Sequence, residues 1–161
     1  MSDSSSGWGR FEPEPGRYDE AYANDLRTRI ARCSAAGIDL VLTPGFQYAP
    51  RWVAALPGGA YRSQSGREGP ATVPNLVFSA RVRQAATAYV GQLAAELGPA
   101  RFVAVRVGTS ESGELGYPGR QFGAPNPDNA MWAFDAAAQS GTDLAAGMTT
   151  TDQASARRTT S

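Results

Sequence analysis

An amphipathic stripe that runs straight into a β-branched segment constrains this chain more than any other feature. Val82, Ala86, Tyr89, Val90, Leu93 and Leu97 recur at intervals of three and four, which puts them on one face of a helix over about 79–97. Ser79 suits its N-cap and Gly98-Pro99 ends it. Immediately afterwards "RFVAVRV", 101–107, reads as a strand. The same order occurs earlier in the chain. Tyr22, Leu26, Ile30 and Cys33 mark a helix over about 19–36, with Asp19 as its cap and Gly37 just past its end, and "IDLVLT", 38–43, follows as a short strand. A third helical segment is expected at "NAMWAFDAAAQ", 129–139. Strands that alternate with helices imply an α/β fold with parallel strands. In such folds ligands and chemistry gather in the loops leaving the C-terminal ends of the strands. Those loops here are 44–52 and 108–119.

Composition narrows the chemistry. The chain of 161 residues has a formal net charge of zero, all fifteen of its basic residues are Arg, and there is no His. Without a basic cluster there is no electrostatic reason to expect nucleic acid or an anionic membrane as partner. Cys33 is the single cysteine. Neither a Ser-His-Asp nor a Cys-His nucleophile can be assembled, and a zinc site would lack all but one of its usual N and S ligands. Carboxylates, tyrosines and one thiol are left for acid–base work, so no metal and no cofactor is expected. The N-terminus has no apolar stretch of the signal-peptide type, and no run of about twenty apolar residues is present to span a membrane; a cytoplasmic location is the expectation. Residues 1–9 are Ser/Gly-rich and expected to be loose, 10–146 to form the folded domain, and the aperiodic polar tail 147–161 to be disordered.

The loop "RVGTSESGELGYPG", 106–119, has two glycines, Gly108 and Gly113, at the spacing of a phosphate-binding loop. Yet Glu114 occupies the lysine position and Leu115 the position of the magnesium-binding hydroxyl. Glu111 adds a second negative charge, and Tyr117-Pro118-Gly119 prevents an immediate helix. Nucleotide binding is the weakest reading of this loop. The stronger one is a proton-donating carboxylic acid, Glu114, at a strand end beside Tyr117; Glu111 reads as a solvated surface residue. The first loop carries Phe46, Gln47, Tyr48 and Trp52 within a few residues of one another. Aromatic faces beside amide and hydroxyl groups suit a sugar ring, whose C–H face stacks while its hydroxyls hydrogen-bond. The same aromatics also suit packing against neighbouring helices.

"VGTSESGELGYP" resembles the acid-catalyst loop of the β-amylases, which carry V-G, four residues, then G-E-L-x-Y-P. "YAPRWV" is similar to the P-x-W-V that follows their third strand. "WGRFEPEPGRYD" resembles the W-x-x-(L/F)-E-P-x-x-G-x-Y-D opening of barrel glycosidases, notably the β-galactosidases of glycoside hydrolase family 42. The three matches come in order and span about residues 8–118. The resemblance implies a (β/α)8 glycoside hydrolase, in which one carboxyl protonates the leaving oxygen and a second acts from the other side of the sugar. Matched residue by residue, Glu114 falls on the general acid, and Gln47, Tyr48 and Trp52 fall on the sugar-binding loop. Tyr117 stands beside the acid as a further substrate contact.

The departures define the expectation. The Asn-Glu pair of family 42 is absent, since Ser112-Gly113 precede Glu114, and the loop-one His of β-amylases cannot exist here. A full barrel needs about 250 residues, and the second carboxylate comes from a late strand. Glu111 cannot replace it, because it would approach the sugar from the same side as Glu114. A partial (β/α)8 barrel is therefore expected: a truncated glycosidase-like domain with an acid but no second carboxylate, inactive alone. Its ligand would be an oligosaccharide or polysaccharide, and its uncovered barrel edges would favour self-association. The alternative is a non-catalytic carbohydrate-binding α/β module.

Overall fold

The computed structural model describes residues 7–108 and 132–147. Five helices and two strands follow in the order α1 (Trp8–Phe11), α2 (Glu20–Ala35), β1 (Val41–Leu42), α3 (Arg51–Ala54), α4 (Ala80–Leu97), β2 (Ala104–Val105) and α5 (Ala136–Ser140). Short 3-10 turns occupy Phe46–Tyr48 and Pro99–Arg101.

The two long helices form where their stripes and caps place them. The Asp19 carboxylate accepts the Tyr22 N–H at 2.9 Å and opens α2. Gly37 follows α2 with φ +69°, a left-handed conformation that costs a side chain but not glycine. At α4, Ser79 accepts the Val82 N–H at 3.3 Å and donates to the Pro57 carbonyl at 2.9 Å, so one buried hydroxyl caps the helix and ties down the preceding loop. Val82, Ala86, Tyr89, Leu93 and Leu97 are buried along one side.

β1 and β2 pair in parallel, with Val41 opposite Ala104 and Leu42 opposite Val105. The N–H groups of Val103 and Arg106 donate to the carbonyls of Leu40 and Leu42 at 2.9 and 2.8 Å. The chain between these strands crosses back through α4. The architecture is therefore a mixed helix and strand, α/β-like arrangement around a two-stranded parallel sheet. Both strands are shorter than the sequence runs suggest.

The main core joins α1, α2, α3, α4 and the loop after β1, through Trp8, Phe11, Tyr22, Ile30, Phe46, Val53, Val82, Tyr89 and Leu93. Trp8 has no exposed surface and stacks on Tyr89, with ring centroids 5.0 Å apart and planes 8° from parallel. Within the segment expected to be loose, Gly7 and Trp8 are thus packed into the core. Their burial comes from contacts made far along the chain. Arg27 bridges α2 to α4 through an ion pair with Glu96.

A smaller cluster of Tyr61, Val73, Trp132 and Phe78 lies under the long loop that precedes α4. Asn75, wholly buried, braces that loop: its amide donates to the Gly58 carbonyl at 2.8 Å, and its carbonyl accepts the Phe78 N–H at 3.0 Å. The helix expected over 129–139 is corrected to Ala136–Ser140, with 129–131 outside the described residues. Asp135 caps it by accepting the Ala138 N–H at 3.0 Å, so Trp132, Ala133 and Phe134 precede the helix and do not join it. Among the described residues no helix is long and apolar enough to cross a membrane.

Candidate functional site

The chain leaving β1 runs through Thr43 and Pro44 to Gly45, whose φ of +71° starts the turn Phe46–Tyr48. Pro50 then sets the backbone for α3. This compact path turns successive side chains in different directions, and each candidate residue meets a different environment.

Phe46 points inward, edge-on to Trp8 at 6.2 Å and to Tyr89 at 6.3 Å. Gln47 is 8% exposed, and its Oε1 has no hydrogen-bond partner among the described residues. A buried acceptor without a donor costs about 1–3 kcal/mol, so this amide suits a hydroxyl donor. Tyr48 is 44% exposed. Its backbone and Cβ press on the start of α1: a Cβ placed on Gly7 would lie 2.5 Å from the Tyr48 Cβ, and one on Gly9 would lie 3.0 Å from the Tyr48 carbonyl oxygen. Two glycines of the "GWG" opening thus let α1 dock beneath this loop.

Trp52 is half-buried. Its ring stands edge-on to Trp8 at 5.9 Å and 89°, and its indole N–H donates to the Glu12 carbonyl at 3.3 Å. It offers a sugar less open face than Tyr48 does. A hollow of about 100 Å³ lined by Gly7, Phe11, Tyr22, Thr43, Pro44 and Tyr89, among others, touches none of Gln47, Tyr48 and Trp52. A larger hollow of about 390 Å³ lies where β2 begins, between Arg27, Leu97, Gly98 and Arg101. That is the opposite end of the strand from the loops under discussion.

The acidic residue that organises this region is Glu12, which was not among the residues singled out from the sequence. It is 4% exposed. One carboxylate oxygen accepts the Trp8 indole N–H at 2.8 Å and the other accepts the Gly16 N–H at 2.8 Å. Both oxygens are engaged, so Glu12 fixes the "WGRFEPEPG" turn. The available signal was the spacing of Trp8 and Glu12, four apart on one helical turn.

The tyrosines near the loop are held as phenols. Burial first, then the nearby Tyr22 and Glu12, pushes Tyr89 far above the ordinary phenol value, and its hydroxyl donates to the Pro44 carbonyl. Burial also raises Tyr22, against the opposing pull of Arg10, whose guanidinium lies 4.8 Å above its ring. Neither phenol is a base at neutral pH. No group of three or more His, Cys, Asp or Glu that could hold a metal ion occurs among the described residues.

Of the residues expected to form the site, the structure brings Gln47, Tyr48 and Trp52 onto the loop at the C-terminal end of β1. Glu114, Tyr117 and Glu111 lie outside the described residues. The adjacent parallel strands still fix one relation: β2 ends beside β1, so the chain leaves both strands at the same end of the sheet. Protein-family models, curated proteins and solved structures were compared with the chain, and none matches.

Proposed function

We propose that residues 10–146 form part of a (β/α)-barrel of glycoside hydrolase type, in which the loop after β1 lines a sugar cleft and Glu114 protonates the glycosidic oxygen. The observation that carries this reading is the parallel β1–β2 pair. It sends residues 43–52 and the segment that begins at Arg106 out of the same end of the sheet, the end at which βα-loops bind ligands. Exposed Tyr48 supplies a stacking face, and the unpartnered Gln47 Oε1 an acceptor for a sugar hydroxyl. A general acid alone does not complete hydrolysis, because a second carboxylate must act from the far side of the ring. The chain therefore binds oligosaccharides without turning them over.

The test is a reducing-end assay on the pure chain with α-glucans and β-galactosides, run beside a binding measurement and repeated with Glu114→Gln. Binding without turnover is expected. Sustained hydrolysis abolished by Glu114→Gln would overturn the inactivity and keep the acid. Hydrolysis that ignores Glu114→Gln would remove the acid role.

A second reading is favoured by the aromatic core itself. Trp8, Phe11, Phe46 and Tyr89 pack on one another, and among the described residues no strand beyond β1 and β2 joins them, as a self-sufficient carbohydrate-binding module would require. In that case binding is unchanged by Glu114→Gln and the chain unfolds as a stable monomer.

A further inference from the structure

We propose that Glu12, which lies outside the loop after β1, is a positioning residue of the carbohydrate site: it sets the angle at which the Trp52 ring meets a sugar. The inference rests on the sugar reading of that loop and adds to it the residue that orients its half-buried aromatic.

Trp52 does not hold its own angle. It sits in α3, Arg51–Ala54, a single turn without a side-chain cap, and one turn of helix has little stability of its own. Wholly buried Val53 pins that turn to the core and leaves Trp52 on its half-open flank. Two contacts then orient the ring. Its indole N–H donates to the Glu12 carbonyl at 3.3 Å, and it stands edge-on to Trp8 at 5.9 Å and 89°. Both lead back to Glu12. The first is the Glu12 main chain itself. The second is Trp8, whose indole N–H is held by Glu12 Oε2 at 2.8 Å while its ring lies on Tyr89.

Glu12 is in turn held on several sides. Its Oε1 accepts the Gly16 N–H and its own N–H donates to the Trp8 carbonyl, each at 2.8 Å. Pro13, next in the chain, restricts the Glu12 backbone further. The carbonyl that receives Trp52 is therefore fixed in direction. The chemical consequence is that the Trp52 N–H is taken, so this residue meets a sugar through its ring face alone. Hydroxyl recognition falls to Gln47 Oε1. Glu12 is 4% exposed, so it acts on a ligand through Trp52 and not by touching it.

The experiment follows sugar affinity and the indole N–H signals together by NMR, on the full chain with a maltooligosaccharide and with lactose, below the unfolding transition of each variant. Glu12→Ala should move the Trp52 signal and weaken the sugar that the parent binds by about threefold to tenfold, the scale of one aromatic contact. Glu12→Gln, which keeps a bond to the Trp8 indole, should recover most of that loss. In a Trp52→Ala background Glu12→Ala should weaken nothing further, whereas a merely structural role would lower affinity in both backgrounds alike. Trp8→Phe keeps an aromatic ring against Tyr89 and removes the indole donor, and its effect should likewise vanish without Trp52. Unchanged affinity in Glu12→Ala and Trp8→Phe, or equal losses with and without Trp52, would overturn the positioning role and leave the sugar site standing. No sugar binding by the parent would remove the site, and this role with it.

Discussion

Replacing Glu12 by Gln probes the joint on which the loop after β1 rests. The carboxylate holds one buried donor, the Trp8 indole N–H, and the N–H of exposed Gly16, each at 2.8 Å. Gln keeps the shape but converts one acceptor oxygen into an NH2 group, which must face one of those donors. One charge-assisted bond, worth about 1.5–3 kcal/mol, is lost; the Gln oxygen stays on the buried indole N–H, and the exposed Gly16 N–H turns to water. The expected cost is about 1.5–3 kcal/mol, a sizeable share of the roughly 5–15 kcal/mol that holds a domain folded. Urea unfolding followed by tryptophan emission reads it directly, since Trp8 and Trp52 lie within contact of the joint. In a Trp8→Phe background the indole donor is gone, so the Gln amide can turn its oxygen to Gly16. The penalty should then fall by about 1–2 kcal/mol, a coupling that a double-mutant cycle isolates. A loss below about 1 kcal/mol, the ordinary scale of a point substitution, or an equal loss in both backgrounds, would refute the reasoning.

The buried phenols make stability fall in alkali. Tyr89 and Tyr22 have folded-state values raised above 10.0, so above about pH 10 the native state keeps protons that the unfolded chain has released, and stability drops as pH rises further. Urea midpoints at neutral and alkaline pH measure this slope, and Tyr89→Phe should flatten it. Gly91 lies inside α4 with nothing within 4 Å of an added Cβ, so Gly91→Ala should stabilise by about 0.5–1 kcal/mol in a thermal scan. Gly59→Ala should do the reverse by more than about 2 kcal/mol, because its Cβ would lie 2.3 Å from the Val53 carbonyl oxygen, a backbone atom that cannot swing aside.

What the sequence displayed well was local. The α2 and α4 stripes, the caps at Asp19 and Ser79 and the glycines at 37 and 98 all act within a few residues, and all appear in the structure. The parallel pairing also followed, because helix-then-strand order leaves little choice of direction. Less legible were features set by distant contacts. Trp8 sits amid Ser and Gly, which suggests looseness, yet it is buried because α4 brings Tyr89 to its face. α5 is short because Asp135 bonds the Ala138 N–H and starts the helix after Trp132, where the apolar spacing alone pointed earlier. At the candidate site, three clustered aromatics looked equivalent in the sequence. Backbone turning at Gly45 and Pro50 separates them: Phe46 goes to the core, Trp52 leans on Trp8, and Tyr48 stays open.

The proposed sugar-binding role of the loop after β1 is tested most directly by saturation-transfer NMR of the pure chain with maltooligosaccharides and β-galactosides, comparing the parent chain with Tyr48→Ala and Gln47→Leu. Tyr48 is exposed and Gln47 makes no hydrogen bond through Oε1, so both variants should remain folded. Transfer to ring protons of at least one sugar is expected from the parent, and its loss in both variants. No transfer to any sugar, or transfer that survives both substitutions, would contradict a carbohydrate site at this end of the sheet.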